Sequence, residues 1–259
     1  MRVGAENEGD SAKPLRAFLP IDGLRALLTI WVILFHYERN SGGVKSTLMG
    51  NCLGNGYISV GLFFQLSGFL CAINTSRRWP GVPAFLLKRF CRLYPAFWVS
   101  IILGVFAELA PDNSSDPARP TPLQSSWSFW TSFITVVAAA HAWIPELIFQ
   151  DIFNGPTWSV SCEIFFTVVF VVVRPALLRI NTLQWVGLAW LATLVLLLAI
   201  SNLFRVMDMH NSPLKFLPIV RAPQFLLGAL LGRMHVLTGG FKAQVRCVWG
   251  RARGGEGRV

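Results

Sequence analysis

Long apolar runs without charge most constrain how this chain can fold. The stretches Tyr57–Ile73 and Leu183–Leu203 contain no Asp, Glu, Lys or Arg, and a helix of about that length can cross a hydrocarbon core. Only helices and closed barrels satisfy their backbone hydrogen bonds in lipid, and these runs lack the alternation of barrel strands. The sequence therefore predicts an all-α, polytopic transmembrane helical bundle.

Composition and charge agree with a membrane location. The 259 residues are 53% hydrophobic and 14% charged, which is too apolar for a typical soluble domain. The formal net charge of +10 comes from basic residues between the apolar runs, which indicates cytoplasmic loops rather than a nucleic-acid surface. The five cysteines show neither metal-ligand spacing nor a disulfide framework. We expect membrane lipids as partners, no nucleic acid, no metal and no permanently bound cofactor.

Seven apolar segments set the predicted topology. They are Leu24–Tyr37, Tyr57–Ile73, Leu93–Leu109, 127–144, Thr157–Val173, Leu183–Leu203 and Leu214–Arg233. The fourth segment has Trp near both ends, as an interfacial or re-entrant piece would. If it does not cross, the Lys and Arg residues concentrate on one side of the membrane, whereas seven spans divide them evenly. The positive-inside rule therefore favours six spans over seven, with a cytoplasmic N-terminus.

Three regions follow from this reading. Residues 1–20 are polar and predict a disordered cytoplasmic tail. Residues 21–236 form the transmembrane domain, and residues 237–259 are rich in Gly and Arg, which predicts a disordered basic tail.

Arg25 and His36 bound the uncharged part of the first predicted span. Their spacing puts both on one helix face, about 16 Å apart along the axis, and Asp22 lies one turn before Arg25 and can pair with it. An imidazole titrates near neutral pH and suits a general base. Placing an ionisable residue at the border of a membrane-spanning segment costs free energy, and such residues usually have a function. The alternative is an Arg that snorkels to one interface and a His that caps the other end.

Glu163 is a carboxylate inside the apolar segment Thr157–Val173. A carboxylate in such a setting needs a partner, and His36 or Arg25 are the obvious ones. Pairing with His36 would orient the imidazole and stabilise its charged form. In the alternative, Glu163 pairs with Arg221 and only locks two helices together. His141 is interpreted as an interfacial polar residue.

A basic cluster follows the second span. It contains Arg77, Arg78, Lys88, Arg89 and Arg92. Arg side chains bind phosphate in a bidentate manner and could hold a polyphosphate. The alternative is a topology signal attracted to anionic lipid, and charge alone favours that alternative.

Four sequence blocks resemble the acyltransferase 3 family of integral membrane O-acyltransferases. They occur in the family's order: Asp22-Gly23-Leu24-Arg25 with His36; Val60–Leu70, which contains Ser67 and Gly68; Leu87–Trp98, which contains Arg89, Arg92 and Pro95; and Thr157–Phe166, which contains Trp158, Ser159 and Glu163. A later segment, Arg221–Arg233, resembles a weaker block. Each block alone is modest, but four in order over most of the chain are specific.

The resemblance implies transfer of an acyl group from acyl-CoA to a hydroxyl, commonly on a glycan or lipid-linked saccharide. The family's catalytic pair corresponds to His36 and Arg25, and Glu163 would orient the His. The donor's phosphates correspond to Arg89 and Arg92, with Arg77 and Arg78 as further candidates and Ser67 near the donor. A covalent acyl-enzyme on Ser67 or Cys162 is a less favoured route.

Two alternatives stay open at this point. The family usually has about ten spans, more than the six or seven apolar runs here, so a short relative without activity is one alternative. The other is a membrane transporter that uses the same charged residues as a substrate path, although the chain shows none of the internal repeats typical of such folds.

Overall fold

The computed structural model describes residues 19–41, 54–77, 79–109, 126–144, 155–207 and 212–239. Within these ranges the chain forms helices and turns and no strand, which confirms the predicted all-α class. The α-helices are α1 (Leu19–Ser41), α2 (Tyr57–Arg77), α3 (Val82–Leu109), α4 (Ser126–Val137), α5 (Trp158–Arg179), α6 (Leu183–Val206) and α7 (Pro218–Leu237). Short 3-10 turns cover His141–Trp143, Gly155–Thr157 and Pro213–Phe216.

Contacts divide the chain into two units, residues 1–63 and 64–259, at a point within α2. In the first unit, Gly56 lies directly against Phe35 and the carbonyl oxygen of Trp31. A Cβ atom at Gly56 would overlap the Phe35 side chain. The absence of a side chain there is therefore what lets the chain pass so close to α1 before α2 begins.

Aromatic side chains form the core of the second unit. Phe166 on α5 stacks on Phe225 of α7 with 5.1 Å between ring centroids, and Phe64 on α2 meets Phe166 edge-on at 5.0 Å. All three side chains are at most 1% exposed. This geometry is typical of buried aromatic pairs and holds α2, α5 and α7 together.

Small residues bring the backbones of α2 and α7 into contact. Gly228 lies against the backbone of Gln65, and Gly232 lies against the Phe69 carbonyl. From the other side, Gly68 lies against the Phe225 carbonyl. Gly228 and Gly232 form a G-x-x-x-G pair, which is the membrane motif for close helix approach. Gly68 therefore lies where the two helices approach each other closely.

A second apolar cluster joins α3, α4 and α5. Phe97 and Ile101 on α3 pack with Val136 at the end of α4 and with Ala139, and Val160 and Ile164 on α5 pack against that cluster. With 12 residues, α4 is about 18 Å long, shorter than a hydrocarbon core of about 30 Å. This length agrees with the prediction that segment 127–144 does not cross the membrane.

Five helical segments in the described ranges are long and apolar enough to span a membrane. They are Tyr57–Ser76, Val82–Phe106, Gly155–Arg179, Leu183–Val206 and Leu214–Leu237. The difference from the predicted six or seven lies in α1 and in segment 127–144. The uncharged stretch between Arg25 and Glu38 on α1 is shorter than the about 20 residues that a spanning helix needs.

Two predicted boundaries are wrong. The third helix begins at Val82 and not at Leu93, so Pro95 lies inside it rather than at its start. Lys88, Arg89 and Arg92 are consequently helical residues rather than loop residues. The first helix begins at Leu19, inside the tail that was predicted to be disordered.

Some predictions fall outside the described residues. These are the ones on residues 1–18, Arg78, and the tail from 240 onward. Arg77 is the last residue of α2.

A Ser-Glu-Arg cluster as the candidate active site

Glu163 lies one and a half turns into α5, and its side chain is 16% exposed. Ser67 on α2 donates a hydrogen bond from Oγ to Glu163 Oε2 at 2.7 Å. Ser67 itself is 3% exposed. A buried hydroxyl that donates to a carboxylate satisfies both groups, so this bond fixes the side of α5 that faces α2.

Arg89 on α3 supplies the positive charge of the cluster. Its Nη1 donates to Ser67 Oγ at 3.3 Å and lies 3.9 Å from Glu163 Oε2. Its Nη2 donates to Cys71 Sγ on α2. The guanidinium therefore contacts three polar side chains from two other helices, and it balances a carboxylate that would otherwise be strongly penalised in an apolar bundle.

Arg89 differs from the basic residues near it in exposure. The Arg89 side chain is 12% exposed, whereas Lys88 and Arg92 are exposed. The Arg89 guanidinium also lies 5.8 Å from the ring centroid of Phe85, within the range of a cation–π contact. Of the predicted phosphate-binding residues on α3, Arg89 is thus largely buried, and Lys88 and Arg92 are exposed.

The structure shows two partners of Glu163 that the sequence reasoning did not name, Ser67 and Arg89. The expected pairings with His36, Arg25 or Arg221 stay predictions. Apolar periodicity could not have found this pairing, because Ser67, Arg89 and Glu163 are distant in sequence. The resemblance did contain a signal, since all three residues lie in matched blocks. Cys71 was missed because a free thiol in an apolar run is usually only packing.

His36 and Arg25 both lie on α1, as the sequence predicted. Each is half-buried, and their spacing in a continuous helix puts them on the same face. The His36 ring meets Phe35 edge-on, with centroids 5.1 Å apart. Asp22 is exposed near the start of the helix. The predicted role of Glu163 in orienting His36 stays a prediction.

The start of α5 is fixed by Trp158. Its ring packs on Phe216 at 4.7 Å and on Phe64 at 6.0 Å. Arg221 on α7 places its guanidinium 5.6 Å from the Trp158 ring centroid. The hydroxyl of Ser159 donates to the Pro156 carbonyl at 3.0 Å. The motif residues Trp158 and Ser159 therefore shape the helix end that carries Glu163.

An apolar groove opens beside the cluster, between α3 and α5. It has a volume of about 440 Å³. Its lining includes Leu86, Phe90 and Tyr94 from α3, Ile164 and Val168 from α5, and one charged residue, Arg89. A groove that is apolar along its length and cationic at one point fits a ligand with an aliphatic part and a polar group.

Among the residues that the structure describes, no group of three His, Cys, Asp or Glu side chains is arranged to hold a metal ion.

The family profile described as "Acyltransferase domain" (acyltransferase 3) matches residues 19–249. The chain belongs to the acyltransferase 3 family. The resemblance inferred from the four sequence blocks is thereby confirmed. All members of the Ser-Glu-Arg cluster lie within the matched region. No solved structure matches the fold of this acyltransferase 3 chain.

Relatives with assigned names agree with this family. Acyltransferase MdmB of Streptomyces mycarofaciens is 31% identical over 115 residues, which are 44% of this chain and 27% of that protein. Peptidoglycan O-acetyltransferase OatA of Listeria monocytogenes is 36% identical over 96 residues, 35% of this chain and 14% of OatA. Protein 2 in the picA locus of Rhizobium radiobacter is 32% identical over 97 residues, 36% of this chain and 47% of that protein. The matched segments thus span less than half of each relative.

Proposed function

We propose that this protein is a membrane-bound O-acyltransferase. It moves an acyl group, acetyl in the simplest case, from acyl-CoA to a hydroxyl of a glycan or lipid-linked saccharide. Membership of the acyltransferase 3 family supports acyl transfer as the reaction class. The name of the relative OatA, a peptidoglycan O-acetyltransferase, supports a glycan acceptor. The N-terminus is cytoplasmic in this proposal.

The reaction has a simple balance. His36 accepts the proton of the acceptor hydroxyl, and the oxygen attacks the thioester carbonyl carbon. The carbon–sulfur bond then breaks, CoA leaves as the thiolate, and the proton held by His36 returns to that sulfur. Arg25 stabilises the negative charge that develops during the attack.

The cluster and the groove support a donor site on α3 and α5. The acyl chain of the donor is apolar, as is most of the lining of the groove. Arg89 faces the groove and is held by Ser67 and Glu163, so its guanidinium is preorganised to polarise the thioester carbonyl. The exposed Lys88 and Arg92 on the same helix, with Arg77 and Arg78 as further candidates, bind the CoA phosphates.

Release of CoA tests the proposal. The protein in lipid nanodiscs is given acetyl-CoA, with soluble peptidoglycan fragments as the acceptor probe, and free thiol is followed over time. We expect turnover in the wild type and a loss of at least 100-fold in both His36→Ala and Arg25→Ala. Turnover that neither substitution changes would refute the catalytic assignment. A folded wild-type protein that does not bind acetyl-CoA would favour the relative without activity.

A further inference from the structure

His141 lies in the short turn that follows α4, outside the cluster described above. It is 5% exposed. Its Nε2 lies 3.2 Å from Thr157 Oγ1, and its Nδ1 lies 3.5 Å from Ser161 Oγ. Both ring nitrogens therefore face hydroxyls at the start of α5.

These contacts satisfy a neutral imidazole. A neutral ring has one N–H donor and one acceptor nitrogen, and a hydroxyl can serve either one. Burial lowers the pKa of His141 to about 4, because the charged ring would lose its hydration. At neutral pH, His141 thus acts through its shape and hydrogen bonds and not through charge.

The geometry of α5 connects His141 to Glu163. Thr157 and Ser161 are four residues apart, so they lie within about 40° of each other around the helix axis. Glu163 is two residues beyond Ser161, which is about 200° around the helix. The side of α5 held by His141 is consequently opposite the side that presents Glu163 to Ser67 and Arg89.

We propose that His141 is a positioning residue that sets the rotation of α5 and thereby holds Glu163 against Ser67 and Arg89. The Thr157 hydroxyl makes no capping bond to α5, so its contact with His141 ties this helix start to the turn after α4. A rotation of about 20° would displace a group at the edge of a helix about 10–12 Å across by about 2 Å. That displacement would break the 2.7 Å bond from Ser67 to Glu163.

Three variants separate positioning from other roles. His141→Ala removes both contacts, and His141→Gln keeps one donor and one acceptor. Ser132→Ala is the matched control, because Ser132 Oγ is buried in α4 and has no hydrogen-bond partner among the described residues. The activity readout rests on the proposed function and is CoA release from acetyl-CoA. We expect kcat to fall about 10- to 100-fold in His141→Ala and to change less than twofold in the other two variants.

The pH profile and a double-mutant cycle complete the activity test. His141→Gln should keep the wild-type profile between pH 6 and 9, since the ring is neutral throughout. In a Glu163→Gln background, His141→Ala should cost less than threefold, because the group it positions is already altered. Loss of activity in His141→Gln equal to that in His141→Ala, or the same fold-loss in both backgrounds, would overturn the proposal.

An infrared measurement tests the positioning role without measuring turnover. The carboxylate band of Glu163 is assigned from the difference between wild type and Glu163→Gln. We expect this band to shift in His141→Ala and to stay in place in His141→Gln and Ser132→Ala. A band that shifts in His141→Ala, together with a wild type that releases no CoA, would refute the proposed function and support the positioning role. A band that does not move in His141→Ala would overturn the positioning role even in an active enzyme.

Discussion

Ser67 on α2 donates a 2.7 Å hydrogen bond to the carboxylate of Glu163 on α5, and Arg89 on α3 donates to the same Ser67 hydroxyl. One small side chain therefore links a cation and an anion from two other helices. Because the serine hydroxyl donates to one partner and accepts from the other, it holds both side chains in a defined geometry.

Removing the Ser67 hydroxyl should destabilise the bundle. In Ser67→Ala, Glu163 loses its short donor, and we expect a loss of about 1–3 kcal/mol in the free energy of unfolding. Ser76→Ala is the control, because the Ser76 hydroxyl donates to the Ala72 carbonyl of its own helix and to no other helix among the described residues. A change below about 0.5 kcal/mol is expected there. Thermal unfolding in detergent measures both, and equal losses would contradict the bridging role.

Arg89 and Arg92 should respond differently to substitution by lysine. Arg89→Lys keeps the charge but cannot contact Ser67, Glu163 and Cys71 together, so we expect kcat for CoA release to fall at least tenfold. Arg92 is exposed, and Arg92→Lys should raise KM for acetyl-CoA a few-fold with little change in kcat. The reverse pattern would show that Arg89 only binds phosphate.

Filling the groove between α3 and α5 should weaken use of the donor. Val168 lines the groove, and Val168→Trp should reduce kcat/KM for octanoyl-CoA more strongly than for acetyl-CoA, since the longer chain occupies more of the groove. Val172 lies one turn further along α5 and outside the lining, so Val172→Trp is the matched control. Identical effects of the two substitutions on both donors would exclude an acyl chain from this groove.

The contact between α2 and α7 should not tolerate a larger residue at Gly228. In Gly228→Ala, the new Cβ would overlap the Gln65 backbone, and neither backbone can move aside cheaply. We expect a loss of several kcal/mol, as for other overpacked core positions. At Gly187 on α6, a Cβ would meet nothing within 4 Å among the described residues. Gly187→Ala should therefore be neutral or stabilising by up to about 1 kcal/mol, which thermal unfolding of both variants can check.

Acid should destabilise the protein through His141. Its pKa is lowered to about 4 in the folded state, against about 6.5 for a free imidazole, so the unfolded state binds more protons between these values. Stability is therefore lost as the pH falls from about 6.5 to about 4, by at most about 3 kcal/mol. The midpoint of thermal unfolding should fall more steeply over this range in the wild type than in His141→Gln. Parallel curves would mean that His141 is not buried as a neutral ring.

The helices could be predicted from the sequence because apolar runs dominate it. The apolar stretch after Tyr57 and the one after Leu183 are both helical as expected. The early start of α3 was missed because basic residues follow Val82, and charge was taken to mark a loop. In the structure, Lys88 and Arg92 are exposed, and Arg89 pairs with the carboxylate of Glu163. The helix can therefore contain all three basic residues.

The candidate site was only partly predictable. Glu163 could be selected because an apolar helix makes a carboxylate costly, but its partners depend on tertiary packing that no local pattern records. His141 illustrates the same limit. Its two hydroxyl partners, Thr157 and Ser161, are 16 and 20 residues away in sequence and reach the imidazole only because the start of α5 packs beside the turn that contains His141.

The backbone contact at Gly68 has a consequence for how a donor enters. Ser67 is the neighbour of Gly68, which is pressed against the Phe225 carbonyl of α7, so α2 cannot slide or tilt without a collision of main chains. Arg89 belongs to α3, most of whose apolar segment is exposed on the surface of the described part of the chain. Any movement that admits a donor beside Ser67 is therefore expected in α3, which carries Arg89, and not in α2.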